Sequence, residues 1–306
     1  VLCPYPCWLR FAPSILGLVA FADSLSILCH VSLMAPFTGN ELSSPTAMSS
    51  SLIPGRTSQE LPRWQSQYMI ILLLFACNVL LYLNRTNMSV AVVLMYADPR
   101  QQGQVLSAFF WGYLFSQTLG GRLAQKLGGK LVLMAGVLFW SISTVVAPLV
   151  YPSLPLVFVS RVLVGIAEGV NYPAQAAICV RWMPKDRMSR AWGFLTAGEP
   201  TGIIVAFGGC PMIAKLYGWQ AIFWVSSLLS VVWLAIFSLI ASSDPEIMPP
   251  MGKICQTELR YILANRNEKE SSNISPLSCK QLVTSTPFLA TVFAHCCYNY
   301  AYYLAM

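Results

Sequence analysis

Apolar runs of membrane-spanning length alternate along the chain with short polar connections. A hydrocarbon core about 30 Å thick needs around 20 mostly apolar residues per helix, and the pattern meets that length at 68–94, 104–123, 130–150, 154–178, 189–213 and 219–241. These are six predicted spans. A polar stretch over 242–281 follows, with Asp244, Glu246, Lys253, Glu258, Arg260, Arg266, Glu268, Lys269, Glu270 and Lys280, and 284–306 begins a seventh apolar run. The pattern divides the chain into an N-terminal segment (1–62), a six-helix bundle (63–242), a central linker (243–281) and the start of a second bundle (282–306). Within 1–62, Ile15 to Ala35 is apolar but broken by Asp23 and His30, so it is not counted as a span. A Ser/Thr/Pro-rich stretch from Thr38 to Ser58 is compatible with a targeting or disordered segment, although such peptides are usually Arg-rich and 1–50 has one Arg.

Loop charge sets the expected orientation. Arg122, Lys126 and Lys130 follow the second predicted span, and Arg181, Lys185, Arg187 and Arg190, against one Asp186, follow the fourth. Lys and Arg accumulate on the cytoplasmic side, so both turns, the N-terminal approach and the central linker are expected there, or on the stromal or matrix side in an organelle. The other connections are nearly uncharged.

Composition narrows the class further. Of 306 residues, 56% are hydrophobic and only 10% charged, with a mean hydropathy of +0.59. Globular chains carry roughly 25% charged residues, so an ordinary soluble domain is excluded and an all-α polytopic membrane protein is expected. The net charge of +7 is spread thinly between apolar runs and forms no basic stripe, so it points to membrane topology and not to nucleic acid. Ten cysteines contain no CxxC pair, most lie in apolar runs, and only two histidines are present, so no metal site is implied. With no Walker loop, dinucleotide fingerprint or catalytic dyad, no cofactor and no enzyme activity are expected.

The sharpest local motif is Gly120-Gly121-Arg122-Leu123-Ala124-Gln125-Lys126-Leu127-Gly128-Gly129-Lys130. It resembles the signature loop of the major facilitator superfamily, with Gln125 where that family usually has Asp. Asn84-Arg85-Thr86-Asn87-Met88-Ser89, Phe110-Trp111-Gly112-Tyr113, Arg161-x3-Gly165-x2-Glu168-Gly169-Val170-x2-Pro173, Trp182-x-Pro184, Gly218-Trp219-x3-Phe223 and His295-x-Cys297-x-Asn299-Tyr300 extend the likeness. Together they resemble the anion:cation symporter branch, which includes vesicular glutamate, sialic acid and type I sodium-phosphate transporters and plant plastid relatives. The resemblance implies a twelve-helix fold of two halves with substrate held between them, so this chain is expected to be part of a longer one. It also implies a gating role for Gly121, Arg122, Lys126, Gly128 and Lys130.

Charges inside the spans carry the candidate chemistry. An ionised side chain at a helix centre costs about 2.5 to 3.5 kcal/mol on insertion scales, so Arg85, Arg161, Glu168 and Glu199 are expected to face a polar cavity. Arg161, Gly165, Glu168 and Tyr172 recur at intervals that place them on one helix face. Along that face Arg161 and Glu168 stand about 10 Å apart, too far for a ready ion pair. A guanidinium is a planar, permanently charged fork suited to carboxylate or phosphate, so Arg85 and Arg161 are candidate anion ligands, joined by Tyr172 and by Asn299. Arg85, towards the end of its span, also has the option of snorkelling to the interface. Glu168 is the candidate coupling acid. Family members implicate the matching arginines in substrate binding and the matching glutamate in cation or proton coupling. Glu199 stands where the family usually has an uncharged residue, and is either a protonated buried acid or a second coupling site. The function expected is secondary active transport of an organic or inorganic anion, driven by a sodium, proton or electrical gradient. Its rivals are an organophosphate exchanger of the same superfamily and a non-transporting receptor or scaffold on this fold.

Overall fold

The computed structural model describes residues 66–247, 254–266 and scattered positions between 284 and 297. The helices are α1 (Ser66–Met95), α2 (Pro99–Leu127), α3 (Gly129–Val150), α4 (Leu154–Gly169), α5 (Asn171–Trp182), α6 (Met188–Thr196), α7 (Gly198–Tyr217), α8 (Trp219–Ile240) and α9 (Gln256–Asn265). No strand occurs among the described residues. The fold is all-α. The N-terminal segment and most of the seventh apolar run, including His295 and Asn299, lie outside the described residues.

Among the described residues, five helical segments are long and apolar enough to cross a bilayer: α1, α3, Leu154–Trp182, Lys185–Tyr217 and α8. Two of these are interrupted, and each interruption has a proline just beyond it. Val170 separates α4 from α5, and Ala197 separates α6 from α7. Pro173 and Pro200 lack the N–H that would bond the carbonyls of Gly169 and Thr196, and their rings crowd those carbonyls. The fourth and fifth spans are therefore broken rods whose breaks lie next to Glu168 and Glu199.

The second predicted span, 104–123, differs from expectation. It belongs to one helix of 29 residues, α2, that is not among the five apolar segments. The physical reason is that part of its surface is turned inward and polar: Gln117 and Ser116 are 0% and 4% exposed. α2 instead sits tightly on α4. A Cβ at Gly112 would lie 2.1 Å from the Val162 carbonyl oxygen, and one at Gly165 would lie 2.0 Å from that of Phe109. Only hydrogen fits at these crossings, the small-residue route to close helix packing in membranes.

Two large apolar clusters, with a smaller one of Phe109, Tyr113 and Val164, pack the described helices. One contains Leu74, Cys77, Leu81, Trp140, Trp182, Trp233 and Phe237; the other contains Met88, Val92, Val105, Ala147, Val157 and Phe223. Along α1 the first ends at Tyr82 and the second begins at Met88. Asn84, Arg85, Thr86 and Asn87 fall in the gap, and this polar layer positions the site.

At the first cluster's end, α9 lies on the bundle. The buried Glu258 accepts the Gln67 backbone N–H at 3.1 Å, and Ile262 is fully buried. Asp244 is shared by Arg181 at 3.5 Å and Arg266 at 3.4 Å, and Arg266 also reaches Glu246 at 3.0 Å.

Candidate functional site

Glu168, on the last turn of α4, is fully buried and both its oxygens are engaged by consecutive residues of α1. Asn84 Nδ2 donates to Oε1 at 2.9 Å and Arg85 Nε to Oε2 at 3.3 Å. The amide of Asn84 is oriented from the other side, where Thr144 Oγ1 of α3 donates to its Oδ1 at 2.9 Å. Asn87 donates to Ser226 Oγ of α8 at 2.8 Å. Asn87 also donates to Asn84 Oδ1 at 3.4 Å, so the network around the carboxylate joins α1, α3, α4 and α8. Burying an ion pair is costly unless its remaining lone pairs are hydrogen-bonded, and Asn84 meets that requirement.

Arg85 does not snorkel. Its Cζ lies 4.8 Å from the Tyr82 ring centroid, 4.7 Å from that of Phe109 and 4.9 Å from that of Tyr113. Guanidinium groups within about 6 Å of an aromatic face are attracted by its quadrupole. Three rings from two helices make a cage open towards Glu168. The close α2–α4 crossing at Gly165 is what brings Phe109 and Tyr113 into range.

Arg161 is 2% exposed and lies two turns before Glu168 on α4. Among the described residues it makes no ion pair with Glu168, as their separation along the helix foretold. Its Nε and Nη2 are buried without a hydrogen-bond partner, and its Cζ is 5.9 Å from the Phe223 ring centroid. A buried polar group without a partner is expensive. Two donors of a permanently charged group are therefore held ready for an acceptor.

Tyr172 and Glu199 come together across the α5–α7 boundary. Tyr172 O–H donates to Glu199 Oε1 at 2.5 Å, and the Tyr172 and Tyr82 hydroxyl oxygens are 3.4 Å apart. Both Tyr172 and Glu199 are half-buried. Four of the residues singled out in the sequence, Arg85, Glu168, Tyr172 and Glu199, are thus linked through Tyr82, whereas Asn299 lies outside the described residues.

Sequence reasoning did not find Asn84, Tyr82 or Phe109. For Asn84 the available signal was its placement beside Arg85 in an apolar run. Of the aromatics in these spans, Tyr113 reaches the site and Trp140 is buried elsewhere, while Trp111 and Trp224 are exposed on the bundle surface.

The loop motif spans the α2–α3 junction. Gly128, at φ +87, makes the reversal, and a Cβ at Gly129 would meet the Ala174 carbonyl at 2.6 Å. Lys130 Nζ donates to the Ser238 carbonyl at 2.8 Å, and its backbone N–H to Ser243 Oγ at 3.1 Å. Gly121 is buried, and Arg122 and Lys126 are exposed. Gln125 leaves the motif without the carboxylate that would pair with them.

The sequence matches the Major Facilitator Superfamily over residues 74–306. The chain belongs to this superfamily. It is 33% identical over 277 residues to the rice (Oryza sativa subsp. japonica) "Probable anion transporter 4, chloroplastic", covering 88% of this chain and 46% of the relative. The Arabidopsis thaliana "Ascorbate transporter, chloroplastic" is 30% identical, covering 83% of this chain and 48% of its own length. The Arabidopsis "Sodium-dependent phosphate transport protein 1, chloroplastic" is 31% identical, covering 80% and 49% respectively. The chain spans about half the length of these major facilitator relatives.

Proposed function

We propose that this chain supplies one helical bundle of a secondary active anion transporter that works by alternating access, one bundle rocking against another around a site near the midplane. The observation that carries the reading is Arg161. It is a buried guanidinium with two unpartnered donors, two turns along α4 from the Glu168 that pairs with the caged Arg85. The relatives named for anion, ascorbate and phosphate transport support the substrate class. Arg161 supplies a fork that stays charged at all physiological pH values. Arg85, paired with Glu168 in the absence of substrate, turns part of its fork to the arriving anion. Glu168 is the coupling acid: a sodium ion or proton that neutralises it releases Arg85 from its internal partner.

The test is reconstitution of the full-length protein in lipid vesicles, with uptake of labelled phosphate and ascorbate measured under imposed sodium, pH and electrical gradients. Arg161→Lys keeps the charge but loses the planar fork, and uptake should fall at least tenfold at normal protein yield. Unchanged uptake would refute the anion-binding role. Glu168→Gln should abolish gradient-driven accumulation while leaving anion exchange between loaded vesicles. Accumulation that persists in this variant removes Glu168 from the coupling step.

A further inference from the structure

Glu199 has no part in the anion-binding scheme above, yet it is fastened to it. Its Oε1 accepts the Tyr172 hydroxyl at 2.5 Å, the Tyr172 and Tyr82 hydroxyl oxygens are 3.4 Å apart, and the Tyr82 ring lies 4.8 Å below the Arg85 guanidinium. A cation that only donates hydrogen bonds and a carboxylate that only accepts them therefore stand on either side of one tyrosine. A carboxylate has two oxygens and about four lone-pair sites, so the hydroxyls of Tyr172 and Tyr82 leave it acceptor capacity to spare. Glu199 is half-buried, not sealed in the core like Glu168. The break at Ala197 ahead of Pro200 sets it on the first turn of α7, beside the end of α6.

An acceptor at that place discriminates between anions. A ligand whose negative group is held by the arginines meets Glu199 with whatever it carries at its other end. A second acceptor is repelled there; a hydroxyl or ammonium donor gains a charge-assisted hydrogen bond. The Tyr172 hydroxyl, its proton committed to Glu199, holds that carboxylate in place for the donor.

We propose that Glu199 and Tyr172 form a donor-reading subsite that selects organic anions carrying a hydroxyl or ammonium group over otherwise equal anions lacking one. The proposal rests on the reading that Arg85 and Arg161 hold the anion. It assigns Glu199 to substrate choice and leaves coupling to Glu168.

The experiment measures binding, so it does not depend on transport. The thermal stability of the purified full-length protein is titrated with pairs differing in one donor: malate against succinate, and glutamate against glutarate. Stabilisation by a ligand follows its concentration relative to Kd, which gives an apparent affinity for each. The wild type should favour the donor-bearing member of at least one pair by about tenfold, the effect of one hydrogen bond to a charged group. Glu199→Gln should remove most of that preference while changing the donor-free member by less than about twofold. Tyr172→Phe should reduce the preference in the same direction, and stands in if the first variant folds poorly. Equal affinities within both pairs in the wild type, no stabilisation by any of the four, or a preference that survives both substitutions would overturn the proposal. Arg161→Lys in the same assay separates the two readings: if it binds all four anions as the wild type does, the arginine reading fails whatever Glu199 does.

Discussion

Arg85 combines three roles that an ordinary surface arginine does not: it is ion-paired, stacked and part-buried at once. Its pairing with Glu168 neutralises a charge that the bilayer interior would otherwise penalise, and the Tyr82, Phe109 and Tyr113 rings fix the guanidinium plane. A lysine has no plane to stack and no bidentate fork. Arg85→Lys should therefore weaken anion binding by tenfold or more in the thermal titration, with the folded protein still recovered in detergent. The charges themselves were legible in the sequence, since a permanent cation in an apolar run demands a partner. The cage was not, because its rings come from positions that only tertiary packing brings to Arg85, and aromatic residues in membrane helices have many other uses. Asn84 was hidden for a related reason: its amide acts only in the company of Glu168 and Thr144, residues 84 and 60 positions away.

At the scale of elements, span lengths and the positions of breaks follow from hydropathy and proline, while the tightness of the α2–α4 crossing follows from glycine. An added methyl at Gly165 would lie 2.0 Å from a backbone oxygen, whereas one at Gly193 meets nothing within 4 Å. Gly165→Ala should destabilise the protein by the cost of overpacking, about 1–3 kcal/mol, read as a lower melting temperature in detergent, and should displace Phe109 and Tyr113 from Arg85. Gly193→Ala should leave the melting temperature nearly unchanged. Equal effects of the two would mean that the crossing relaxes more easily than its contacts indicate. α2 was the least legible helix. Its inward polar face lowers the average that hydropathy reads, and what makes it a partner of α4 is a pair of glycines whose meaning depends on the facing helix. The separation of Arg161 from Glu168, by contrast, was readable from helical rise alone.

For the whole molecule, the arrangement of α9 matters most. It joins the start of α1, through Glu258 and Gln67, to the segment after α8, through Arg266 and Asp244. Part-exposed ion pairs are individually worth little, about 0–1 kcal/mol, so docking here relies on Ile262 and Glu258 as well. Arg266→Ala should leave the melting temperature within about a degree or two of wild type and yet speed proteolytic cleavage around residues 254–266, because local opening costs less than global unfolding. Resistance to protease equal to wild type would show that Ile262 and Glu258 hold α9 without help from Arg266. A fastened α9 also shifts a mechanical boundary. On the proposed rocking-bundle reading, a first body that carries α9 with it runs to Arg266 instead of stopping at Ile240, where its last spanning helix ends, and any leash to a second body is then shorter than the polar stretch itself, with a correspondingly limited swing.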